Sequence, residues 1–157
     1  LKMNTRDYLV KLISTFFYFG YLPVMPGTFT SMAGLFLFCL VRDNIILYYS
    51  VTLGLVALGF LVASRAESIF GGKDDNRIVI DEAAGMFLCF AFLPYDARLV
   101  IAGFLIFRIL DTIKPYPAHK LESLPGSLGI MSDDLVAGIY TNIVLQAVLR
   151  LVSFRAS

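Results

Sequence analysis

A chain of 157 residues fits one domain, and its composition, 58% hydrophobic against 16% charged with a mean hydropathy of +0.77, is that of a membrane protein, since soluble domains are about a quarter charged. A formal net charge of +1 gives neither the electrostatic footprint of a nucleic-acid protein nor a polybasic arm for a lipid surface. The single histidine argues against zinc, and Cys39 and Cys89 both lie in apolar runs, where they read as small buried hydrophobes rather than a disulfide.

In chain order, Leu1 to Leu22 reads as a retained helix, interfacial or spanning, because its apolar part is short and no small-residue cleavage site follows. Pro26-Gly27 introduces an apolar stretch, Thr28 to Val41, closed by a turn at Arg42 to Asn44. Asn44 to Ser64 holds no charged residue; at about 1.5 Å per residue it reaches about 30 Å, one hydrocarbon thickness. Phe70 to Arg77 is a polar, glycine-bearing loop. Three shorter apolar segments follow: Ile78 to Leu93, Ala97 to Ile113 and Leu135 to Leu149. Leu93 to Arg98 is a tight turn, and Lys114 to Gly129 a long break rich in proline and glycine. Flanking residues or a thinned bilayer can make up the missing length. No alternating pattern recurs, so the expected fold is all-α: a polytopic membrane helical bundle with short helices and a proline/glycine loop, one domain over residues 1–157.

Five carboxylates stand beside these apolar runs: Asp81, Glu82, Asp111, Asp133 and Asp134. A charge at mid-membrane costs about 2.5–3.5 kcal/mol even on the lenient scale. Threading the segments back and forth relieves the conflict. Asp81 and Glu82 start one helix, Asp111 ends the next, and Asp133 and Asp134 start the last, so all five reach one membrane face. Met25 to Ser31 arrive there too. Arg108, Asp111 and Lys114 are spaced to share a helix face. Gly85 and Gly138 lie one turn beyond Asp81 and Asp134, where they let another helix or a ligand approach closely.

Such a cluster suits Mg²⁺, a hard cation that takes carboxylates together with water and substrate phosphate. Arg108 and Lys114 can clamp phosphate oxygens. Thr28, Thr30 and Ser31 add hydroxyls at a helix start, where free N–H groups favour an anion. Each residue also has a bland reading. Asp133, Thr28 and Ser31 can be helix caps, Asp81 and Glu82 first-turn acids, Arg108 and Asp111 a structural pair, and Lys114 a snorkelling side chain. Taken together these leave the clustering unexplained. His119 reads as a loop residue. Two function classes remain: phosphoryl chemistry on a lipid, and a small cation or proton transporter using intramembrane carboxylates. Acids at helix ends beside Arg and Lys favour an anionic headgroup. Basic residues threaded to the carboxylate face (Arg65, Lys73, Arg77, Arg108, Lys114, Lys120) mildly outweigh those opposite (Arg42, Arg98, Arg150, Arg155), which points to a cytoplasmic site.

Four stretches, in this order, carry a resemblance: "PGT" at Pro26 to Thr28, "IDEAAGM" at Ile80 to Met86, "FRILDTIKPYP" at Phe107 to Pro117 and "GIMSDDLVAG" at Gly129 to Gly138. With them the chain resembles the phosphatidylglycerophosphatase A family of bacterial membrane phosphatases. The resemblance implies Mg²⁺-dependent removal of the terminal phosphate from phosphatidylglycerol phosphate, a bacterial inner membrane and a cytoplasm-facing site. It implies Asp81, Glu82, Asp111, Asp133 and Asp134 as the acidic motif residues, with Asp81, Glu82, Asp111 and Asp134 as metal ligands and Arg108 and Lys114 as basic partners. Two positions depart from the pattern: Thr30, where a glycine is expected, and Ser127, where a second glycine often follows Gly126.

Overall fold

The computed structural model describes residues 4–72 and 75–156, with side chains to residue 151. Lys73 and the side chain of Arg155, both placed on a face by the sequence, lie outside the described residues. The helices are α1 Thr5–Ser14, α2 Pro26–Val41, α3 Ile45–Phe70, α4 Ile80–Leu88, α5 Ala97–Ile113, α6 Ala118–Glu122 and α7 Ser127–Ala156, with a 3₁₀ turn at Phe19–Tyr21 and no strand among the described residues. Their ends follow local chemistry. Pro26 takes the first position of α2, where its missing N–H costs nothing. Asn44 Oδ1 accepts the Leu47 N–H at 3.1 Å, and Asp96 Oδ1 accepts the Arg98 N–H at 2.7 Å, starting α3 and α5. Gly71, at φ 79°, ends α3 in the left-handed region.

The centre of the bundle departs from expectation. Ile78 to Leu93 was expected to cross the membrane as one helix, yet α4 has only 9 residues, about 13 Å of rise. It lies inside the molecule, with Ala83, Ala84, Met86 and Phe87 fully buried, and packs against α2, α3 and α7. A helix that stops in the interior leaves carbonyls to satisfy. Tyr48 Oη–H donates to Phe87 O at 2.6 Å, and Asn142 Nδ2 donates to Cys89 O at 2.9 Å and Ala91 O at 2.8 Å. Irregular backbone at membrane depth is tolerable when protein surrounds and satisfies it. Gly85 and Gly138 meet where α4 crosses α7: a Cβ on Gly138 would strike the Gly85 carbonyl, and one on Gly85 would lie 2.6 Å from the Asp134 carbonyl.

The exterior is apolar. Phe36 on α2, Leu53 and Leu61 on α3, Ile101 and Ile109 on α5 and Ile143 on α7 are each more than half exposed. Of the described helices, α3 and α7 are long and apolar enough to cross a membrane. An exterior of this kind suits lipid tails better than water. Of the two readings of the N-terminus, spanning fails: α1 has 10 residues and packs against α3, where Asp7 pairs with Arg65 at 2.9 Å.

Candidate active site

At one end of the bundle a cavity of about 400 Å³ opens between α2, α4, α5 and α7. All five expected carboxylates line it, together with Arg108, Lys114 and Thr28. The first turn of α4 supplies Asp81 and Glu82. Gly27 makes room for them, because a Cβ there would collide with Glu82 Oε1. The last turn of α5 brings Asp111, and Lys114 follows as its left-handed C-cap at φ 46°. Asp133 and Asp134 were expected at the start of the last helix. Instead α7 begins at Ser127, so both lie in its second turn and neither is a cap. Ser127, one of the two departures from the family pattern, joins α7 to α3: its N–H donates to Ser64 Oγ, and the Ser64 N–H to Ser127 Oγ, each at 2.9 Å.

Three of the carboxylates draw together. One oxygen each from Asp81, Glu82 and Asp134 lies within 4.8 Å of the others. Asp81 Oδ1 and Glu82 Oε2 are buried with no hydrogen-bond partner among the described residues. Clustered anionic oxygens without donors repel one another, and a divalent cation between them removes that cost. Three hard oxygen ligands at this spacing can hold a divalent cation such as Mg²⁺. Asp111 stays outside this trio and pairs with Arg108 Nη1 at 2.8 Å. The same Nη1 donates to Ser31 Oγ at 3.2 Å, while the Ser31 hydroxyl donates to Gly27 O at 2.9 Å.

Lys114 does not turn to Asp111, as its spacing suggested. Its Nζ contacts Asp133 Oδ2 and Glu122 Oε1, each at 2.7 Å. Burial works to lower the pKa of Lys114, but these two hydrogen bonds outweigh it and hold the ammonium above the ordinary lysine range. Two of its three donors are committed, which leaves one for a ligand in the cavity. Ser31 is fully buried and off the cavity wall; it orients Arg108 instead of lining the site. Thr30 is buried too, and His119 is exposed beside Glu122. Met25, Asn76 and Ile78 also line the cavity. Met25 and Ile78 stand at the face to which the sequence threads their segments, whereas Asn76 gives no signal in the sequence, because an amide in a polar loop marks nothing beyond a turn.

Fold and cavity together define an all-helical bundle with an apolar exterior and a carboxylate-lined site at one end. Residues 12–149 match the family model described as Phosphatidylglycerophosphatase A. The chain belongs to the phosphatidylglycerophosphatase A family. Among curated relatives, the phosphatidylglycerophosphatase A of Escherichia coli K12 is 36% identical over 82% of this chain and 76% of its own. That of Haemophilus influenzae Rd is 32% identical over 88% of each. A Bacteroides thetaiotaomicron protein with the provisional description phosphatidylinositol-3-phosphatase is 35% identical over 91% of this chain and 95% of its own. No solved structure matches. Membership in a family of phosphatases sets the transporter reading aside.

Proposed function

We propose that this protein hydrolyses phosphatidylglycerol phosphate to phosphatidylglycerol and inorganic phosphate, with Mg²⁺ as cofactor, from within a bacterial inner membrane and with its site on the cytoplasmic side. The observation that carries this reading is the cavity itself. Two cations and a trio of carboxylate oxygens converge at one end of an apolar bundle, the depth at which a lipid headgroup lies. Asp81, Glu82 and Asp134 would hold the metal, which supplies charge neutralisation and polarisation of a phosphoryl oxygen. Arg108, a fork held by Asp111 and Ser31, and Lys114, a point charge, bind and orient the phosphate. The reaction breaks the bond from phosphorus to the lipid oxygen and forms one to a water oxygen; the lipid leaves as its alcohol. The N-terminus of α2, at Gly27 and Thr28, faces the same space and favours an anion.

The test is phosphate release by purified protein from phosphatidylglycerol phosphate, with and without chelator. Phosphatidylinositol 3-phosphate, suggested by the name of the Bacteroides relative, serves as the competing substrate. Metal-dependent release that prefers phosphatidylglycerol phosphate is expected. Release that prefers the inositol lipid would overturn the substrate, and release that survives chelation would overturn the metal.

A further inference from the structure

Phe16, Phe17 and Tyr18 have φ of 44°, 56° and 70°, three successive non-glycine residues in the left-handed region that L side chains disfavour. The conformation is held in place. The Phe17 N–H donates to Leu12 O at 2.9 Å, the Gly20 N–H to Thr15 O at 3.0 Å and the Tyr18 N–H to Thr15 Oγ1 at 3.1 Å. Phe16 anchors it, buried in one cluster with Val79 and Ala83. Beyond Phe16 the side chains turn outward: Phe17 is 67% exposed, and Val24 and Met25 63% each, with Tyr18 and Tyr21 also exposed. Backbone strain that persists in a braced segment points to a use. Rings with a phenolic tip beside bare apolar side chains are the composition of a membrane–water interface.

The place of this segment matters as much as its make-up. Gly20 lies so close to the Arg77 carbonyl that a Cβ would not fit. The neighbouring Asn76 lines the catalytic cavity, and so does Met25 at the far end of the segment. The exposed rings therefore border the cavity mouth. We propose that Phe16 to Met25 forms an interfacial wedge, seated at the boundary of headgroups and acyl chains in the leaflet that delivers the substrate, where it fixes the depth of the cavity against the lipid phosphates. This rests on the membrane reading given under the proposed function.

The chain has no tryptophan, so Phe17→Trp creates a sole tryptophan at an exposed position, excited selectively beyond the tyrosine absorption band. The full-length variant is reconstituted into phosphatidylcholine–phosphatidylglycerol vesicles brominated either near the glycerol backbone or near the chain ends. Blue-shifted emission, quenched most by the shallow bromines and shielded from acrylamide, is expected. Water-like emission open to acrylamide and untouched by either lipid would overturn the wedge, as would stronger quenching by the deep bromines. Val24→Trp provides the same readout should Phe17→Trp fail to fold. Shallow quenching in a protein without phosphatase activity would retire the proposed reaction and keep the wedge; full activity without quenching would do the reverse.

Discussion

A buried anionic oxygen without a donor is costly, and Asp81 Oδ1 and Glu82 Oε2 are two such oxygens in adjacent residues. Their cost is the reason to expect a cation. Asp81→Asn and Asp134→Asn should each lower turnover by at least about 100-fold, since even residues behind a metal's own ligands are worth 10–100-fold. Both should also lose binding of Mn²⁺, used as a paramagnetic probe in place of Mg²⁺, while helix content by circular dichroism stays unchanged. Undiminished Mn²⁺ binding in Asp134→Asn would remove that residue from the trio. Lys114 carries a separate expectation. Lys114→Met strips the cation from Asp133, whose side chain is 6% exposed. The loss should approach about 3–5 kcal/mol, less whatever solvent at the half-buried lysine restores. Asp133→Asn in the same chain should recover part of it. The folded-state pKa of Lys114 is raised, so its contribution is fully present below the unfolded value of about 10.4 and fades as pH rises through the raised one. The melting temperature of the wild type should therefore fall more steeply above that pH than that of the double variant. The carboxylates were legible because charge against an apolar run is expensive. Their division into a close trio and two ion pairs was not, because it depends on which side chains face one another across α4, α5 and α7.

Among the helices, the crossing of α4 and α7 turns on two glycines. Gly138→Ala would drive a methyl group into the Gly85 carbonyl, backbone that cannot move aside, and should cost about 1–3 kcal/mol as overpacking. Gly54 lies within α3 with nothing within 4 Å of an added Cβ. Gly54→Ala should stabilise by about 0.5–1 kcal/mol, the ordinary helix-interior preference. Thermal melts in one detergent check both, and a Gly138→Ala protein as stable as wild type would remove the close approach. That the two glycines matter could be read from their spacing, one turn from Asp81 and Asp134. The true length of α4 could not. Its end is stabilised by the side chain of Asn142, 53 residues beyond Cys89, and no local pattern announces a partner that distant. The start of α7 was missed for a related reason. Two aspartates before an apolar run look like a helix start, and only the pairing of Asp133 with Lys114 shows why an acid can sit in the second turn.

For the whole molecule, segment order and geometry agree on the point that matters most for function. Segments read only for length and turn signals predicted that five carboxylates meet at one end, and one cavity collects all five. The cytoplasmic orientation proposed for that end rests on the proposed substrate and on a mild excess of basic residues, and it is open to direct test. Ser123 lies exposed in the α6–α7 connection, at the cavity end. Asp43 lies exposed in the α2–α3 turn, and α2 runs from the cavity at Gly27 toward that turn, so the two positions mark opposite ends of the bundle. The side chains that start α3 and α5 are those of Asn44 and Asp96, and both stay in place, so a cysteine at Ser123 or Asp43 should leave the fold intact. Cys39 and Cys89 are first replaced by alanine; Cys89 is fully buried and Cys39 partly so. In intact cells Ser123→Cys should resist a membrane-impermeant thiol reagent and react once the membrane is opened, whereas Asp43→Cys should react from outside. Labelling of Ser123→Cys in intact cells would reverse the orientation, and a cavity on the outer face could not meet a lipid phosphate presented from the cytoplasmic leaflet.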